Sequence, residues 1–142
     1  MDRVYEESEI DSVARELLES LAPQESATVV SLTGDLGAGK TTLVQALGDA
    51  LGVHEHIVSP TFVIMKKYTT QNKQHTSFYH LDAYRIEELR ELDPLGWQQL
   101  VLQPQTLVVV EWGERIKDAL PADTYFFTIE HRDTKRRIYA TT

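Results

Sequence analysis

Gly34-Asp35-Leu36-Gly37-Ala38-Gly39-Lys40-Thr41 sets a lysine and a hydroxyl behind a glycine-rich turn in the spacing G-x-x-x-x-G-K-S/T, and Thr42 follows. The spacing has a chemical reason. Glycines let successive backbone N–H groups converge on phosphate oxygens, and a helix starting at Lys40 turns its positive end toward them. Lys40 then reaches the β- and γ-phosphates, and the Thr41 hydroxyl is left for a magnesium ion. The run Gly34–Thr42 is therefore a candidate Mg-ATP cradle, with Asp35, Leu36, Gly37, Ala38 and Gly39 supplying its backbone. The plainer alternative is an ordinary glycine turn. A chance match in a chain this long is on the order of one in a few hundred.

A phosphate site of this kind needs acids. Glu111 ends the apolar run Leu107-Val108-Val109-Val110, where a strand would deliver a carboxylate to the metal. Its other reading is a charged residue at a strand exit. Trp112 beside it either caps the site or fills core. Asp82 ends the expected strand Ser77–Asp82 within His80-Leu81-Asp82-Ala83-Tyr84-Arg85 and is placed either to orient an attacking water or to cap a helix or pair with Arg85. Thr61, in Ser59-Pro60-Thr61-Phe62, follows the expected helix where nucleotide switches put a hydroxyl that senses the γ-phosphate; a Ser-Pro-Thr turn also begins many strands. His54 and His56, with no Cys to join them, do not make a zinc pattern. Lys135-Arg136-Arg137 is a compact basic run, read as a solvated hairpin with nucleotide or acidic-partner contact as the lesser option.

The elements that must position these groups follow from periodicity. Ile10, Val13, Ala14, Leu17, Leu18 and Leu21 repeat at three and four behind Ser8-Glu9, an amphipathic helix ending near Pro23. Thr28–Thr33 reads as a strand, Lys40–Leu51 as a helix stopped by Gly52, and Val53–Pro60 as a loop. Phe62–Tyr68 and Ser77–Asp82 are strands about a polar turn centred on Asn72. Glu87–Leu102 reads as helical, split by Pro94 and Gly96. Thr106–Glu111 is a strand apolar enough to be buried on both faces, and Tyr125–Glu130 with Arg136–Ala140 form a hairpin about Asp133-Thr134.

With 142 residues, 42% of them apolar and 25% charged, the chain suits one α/β domain over residues 1–142. It has no Cys, which excludes disulfides and thiolate chemistry. The start Met1-Asp2-Arg3-Val4-Tyr5-Glu6-Glu7 lacks a secretory pattern and no apolar stretch is of membrane-spanning length, so a cytoplasmic protein without membrane contact is expected. A net charge of −8 opposes direct binding to a nucleic-acid backbone. A GTPase base-reading N-K-x-D is absent: Asn72-Lys73-Gln74-His75 lacks the acid, so adenine is the expected base.

Gly34–Thr42, Ser59–Phe62, His80–Arg85 and Val110-Glu111-Trp112, in this order and at these separations, resemble the TsaE family, the ATPase components of bacterial tRNA threonylcarbamoyladenosine synthesis. Asp11 departs from it, standing where members often carry Thr. The resemblance implies a single P-loop NTPase-like domain, α/β, with a mainly parallel central sheet flanked by helices and antiparallel strand pairs. It implies ATP and Mg2+ as cofactors, with Thr41 and Glu111 as metal ligands, Asp82 as a catalytic or water-positioning acid, Lys40 and Thr61 beside it, Trp112 next to the nucleotide and Ser8 near the adenine. The implied partners are two subunits of the threonylcarbamoyl transferase complex, of TsaB and TsaD type, with tRNA met only through them. The residues themselves leave a small phosphotransferase and a nucleotide-gated binding module as rival classes.

Overall fold

The chain alternates short strands with helices, and the strands assemble into one seven-stranded sheet. The computed structural model describes residues 1–35, 37–58, 60 and 64–141. Its strands are β1 Asp2–Tyr5, β2 Thr28–Thr33, β3 Met65–Thr69, β4 Ser77–Asp82, β5 Thr106–Glu111, β6 Tyr125–Arg132 and β7 Lys135–Thr141. The helices are α1 Ile10–Glu19, α2 Lys40–Ala50 and the short α3 Trp97–Leu100, with 3-10 segments at Glu7–Glu9, Leu89–Leu95 and Gly113–Ala119.

The middle of the sheet is parallel. β5 pairs with β2 on one side and β4 on the other, and β2 pairs in parallel with β6. Antiparallel partners finish both edges: β3 on β4, and β7 between β6 and β1. Burial explains the uniform apolarity of β5, since a strand covered on both faces has no polar side to alternate with. Val30, Leu32, Leu107 and Val109 face a core shared with Val13, Leu17, Leu43 and Leu47 of α1 and α2. Val29, Val108 and Val110 face the opposite one, with Trp97, Leu100 and Ile116.

Local signals hold most of these bounds. Glu9 accepts the Glu6 N–H at 2.7 Å, a capping box that starts the turn before α1. Asn72 Oδ1 accepts the N–H groups of Gln74 and His75, each at 2.9 Å, and so closes the β3–β4 turn. The segment Glu87–Leu102 is helical in two pieces, broken at Gly96 with φ of 70°, and the larger piece is 3-10. The expected strand Phe62–Tyr68 runs here from Met65; Phe62 and Val63 lie outside the described residues.

β1 is an element that the sequence pattern does not announce, as is the 3-10 segment Gly113–Ala119. Only Tyr5 of the four residues of β1 is buried, so there is no apolar run to see. The strand exists because β7 offers an unpaired edge, with Val4 opposite Arg137 and Tyr5 opposite Arg136.

Candidate functional site

The register of the parallel strands builds the site. Leu32 and Asp82 both stand opposite Glu111, so β2, β4 and β5 end together at one edge of the sheet. Ligands of open α/β sheets bind outside the carboxyl ends of such strands. The Gly34–Thr42 run leaves β2 at this edge and enters α2, and a cavity of about 470 Å3 opens there. Gly37, Gly39, Lys40, Thr41, Thr42, Asp82, Tyr84, Glu111, Trp112 and Arg136 line it, with Tyr5, Glu7 and Ile10 from the N-terminal segment.

The loop geometry requires its glycines. Gly37 and Gly39 have φ of 79° and 104°, a region that side chains disfavour. Gly34 lies so near β6 that a Cβ there would stand 2.5 Å from the Ile129 carbonyl oxygen. Gly39 leads into α2 and among the described residues no side chain caps that helix, so its first N–H groups are open to an anion.

Lys40 is buried at 5% exposure and its Nζ donates to the carbonyls of Gly34 and Asp35, while lying 4.6 Å from the centre of the Trp112 ring. Burial pushes its ammonium below the ordinary value, against the pull of Glu111, Glu114, Asp35 and Asp82. The Thr41 hydroxyl is 3.3 and 3.4 Å from the two carboxylate oxygens of Glu111, itself buried. One hydroxyl and one carboxylate are a sparse oxygen set. That set suits Mg2+, which takes few protein ligands and fills its sphere with water and substrate phosphate.

Asp82 Oδ1 accepts the Tyr84 N–H at 3.0 Å, and the Asp82 N–H bonds the Ile64 carbonyl at 2.8 Å, so the acid is held at the mouth of the cavity. Trp112 turns out of β5 with φ of 60° and packs its ring 5.0 Å from that of Tyr84. It thus lines the cavity on one side and touches core on the other.

Ser8 is exposed, in the turn Glu7–Glu9; its neighbours Glu7 and Ile10 line the cavity and it does not. The Asp35 carbonyl accepts both Lys40 Nζ and the Ala38 N–H, at 3.1 and 3.0 Å. Ala38 is buried. Leu36 and Thr61, also expected here, lie outside the described residues.

The basic run Lys135–Arg137 divides its work. Arg137 bonds Asp2 and Glu130 along the surface, whereas Arg136 turns inward and its Nε donates to the Ala38 carbonyl at 3.0 Å. The default reading of that run as a solvated hairpin misses Arg136. Alternation along β7 was the available signal, because adjacent strand residues face opposite sides of the sheet.

Fold and site together define a mixed α/β domain with a Walker A sequence where the central parallel strand meets its helix. The sequence model of the family described as threonylcarbamoyl adenosine biosynthesis protein TsaE matches residues 4–139. The chain belongs to this family. It is 44% identical over 94 residues to a Nostoc protein named tRNA threonylcarbamoyladenosine biosynthesis protein TsaE, covering 64% of this chain and 56% of that one. A Haemophilus influenzae protein of the same name is 32% identical over 114 residues, covering 80% of this chain and 70% of its own. The chain thus spans little more than half the length of the cyanobacterial relatives it matches, 56% in each of two cases. The crystal structure of Bacillus subtilis YdiB superposes with a TM-score of 0.77 at 28% identity, covering 100% of this chain and 84% of that one. Among the described residues no helix is long and apolar enough to cross a membrane.

Proposed function

We propose that this domain binds Mg-ATP at the cavity between the Gly34–Thr42 run and the ends of β4 and β5, and hydrolyses it to ADP and phosphate. The observation that carries the proposal is the meeting of Thr41 with Glu111 at 3.3–3.4 Å, which joins the loop hydroxyl to the strand-end acid. Thr41 and Glu111 would hold the magnesium ion, which when bound offsets the negative charge of the phosphates. Lys40 exchanges its bonds to the Gly34 and Asp35 carbonyls for the β- and γ-phosphates. Asp82 orients the water that attacks the γ-phosphorus as the bond to the β-phosphate oxygen breaks. Trp112 and Tyr84 shield one wall, and Thr61 is assigned the switch hydroxyl.

The relatives named for tRNA threonylcarbamoyladenosine biosynthesis support a place in that modification. In this reading the domain works in the cytoplasm on a complex of two partner subunits, of TsaB and TsaD type, which carries the tRNA. An overall charge of −8 favours that division, since a phosphate backbone gains nothing from an acidic protein.

The test is phosphate release from ATP by the purified chain, alone and with the two partner subunits, for wild type, Lys40→Ala and Glu111→Ala. Release that rises with the partners and is lost in both variants is expected. A phosphorylated product in place of free phosphate would make the domain a phosphotransferase. ATP binding with no release under any condition would make it a nucleotide-gated binding module.

A further inference from the structure

His80 is wholly buried on β4, and its Nε2 lies 2.5 Å from Oε2 of Glu111. Its other ring nitrogen, Nδ1, has no hydrogen-bond partner among the described residues. An imidazole whose one polar contact among the described residues is with a carboxylate oxygen is oriented by that contact and orients it in return. A carboxylate offers acceptors alone, so the imidazole supplies the N–H.

The backbone makes this contact reproducible. β4 and β5 run in parallel with His80 opposite Val109 and Asp82 opposite Glu111, so His80 sits two residues deeper in the sheet than the acid it meets. The Glu111 carboxylate, 4% exposed, is thereby gripped from below by His80 and faces Thr41 of α2. Without His80 it would keep the Thr41 hydroxyl, 3.3 Å away, and lose its anchor in the sheet.

We propose that His80 is a positioning residue for magnesium: its Nε2–H holds one oxygen of Glu111 so that the carboxylate presents its remaining acceptor capacity toward the ion beside Thr41. This rests on the Mg-ATP reading above. Carboxylates that bind metals are themselves hydrogen-bonded, and loss of such a partner typically costs 10–100-fold in metal affinity.

Two amide substitutions separate orientation from packing. His80→Gln carries its amide nitrogen about as far as the imidazole Nε2 and can still donate to Glu111. His80→Asn stops one bond shorter, at the level of Nδ1, and cannot. ATP affinity is measured calorimetrically on the full chain with rising magnesium and again in EDTA, and thermal unfolding of the nucleotide-free proteins is followed in parallel. His80→Asn is expected to need about 10-fold more magnesium, or more, for the same gain in affinity. His80→Gln is expected to stay near wild type, and affinity in EDTA, which does not draw on Glu111, to move much less. Wild-type magnesium dependence in folded His80→Asn would overturn the proposal. So would an equal loss in both variants that follows their loss of thermal stability, because His80 would then act as core alone. If wild type itself shows no magnesium-dependent ATP binding, it is the Mg-ATP reading that falls.

Discussion

Arg136 on β7 donates through Nε to the carbonyl of Ala38, 98 residues earlier, at 3.0 Å. The bond ties the C-terminal strand to the glycine loop, and its donor lines the same cavity as Lys40 and Thr41. A hydrogen bond from a charged donor is worth about 1.5–3 kcal/mol. Arg136→Ala is therefore expected to weaken ATP binding roughly tenfold. Arg137→Ala, which removes surface contacts to Asp2 and Glu130, serves as the comparison and should leave ATP affinity where it was.

Asp82 tests the proposed hydrolytic step apart from binding. Its Oδ1 accepts the Tyr84 N–H, a bond that Asp82→Asn preserves, so the local backbone is kept while the carboxylate charge is lost. Phosphate release should fall on the order of 100-fold with ATP affinity little changed. An equal loss in affinity would show that Asp82 holds nucleotide instead.

The chain has two tryptophans, and only Trp112 lines the cavity. Trp97 is in the core and donates its Nε1–H to the Ala119 carbonyl at 2.9 Å. In the proposed Mg-ATP complex Lys40 exchanges the Trp112 ring for phosphate, and the indole would lose a charge 4.6 Å from its centre. ATP should change the intrinsic fluorescence of wild type and of Trp97→Phe, and Trp112→Phe should abolish the change.

Gly34→Ala addresses the loop itself. The added methyl would meet the Ile129 carbonyl oxygen at 2.5 Å, a backbone atom of β6 that cannot swing aside. Overpacking of this kind costs about 1–3 kcal/mol, readable by denaturant unfolding, and the displaced loop should lose ATP affinity as well.

His75 gives the pH dependence. Burial holds it below its ordinary value of 6.5, and its Nδ1 has no hydrogen-bond partner among the described residues. The unfolded chain therefore binds the proton more readily than the folded one. The stability this confers is fully present above 6.5 and is lost as pH falls through the lowered folded value. Unfolding temperatures taken from about pH 7.5 to about pH 5 should fall for wild type, and less steeply for His75→Gln.

The Walker A spacing, the strand-end acid Glu111 and the extents of β2, β4 and β5 were legible in the sequence because each is a local pattern. A run of apolar residues ends at its acid, and glycines must stand where φ is positive, wherever the segment lies in space. His80, Arg136 and β1 were not legible as parts of the site. His80 matters only because parallel register sets β4 beside β5, and Arg136 only because β7 folds back across the loop. β1 has one buried residue and draws its stability from hydrogen bonds to β7, which no pattern in its own four residues records. Sequence thus determined which residue types could bind phosphate and metal and roughly which elements carry them, since those are properties of short segments. Tertiary structure alone decided that Glu111 meets both Thr41 and His80, and that Arg136 backs the loop, since those contacts join residues distant in the chain through strand order and register.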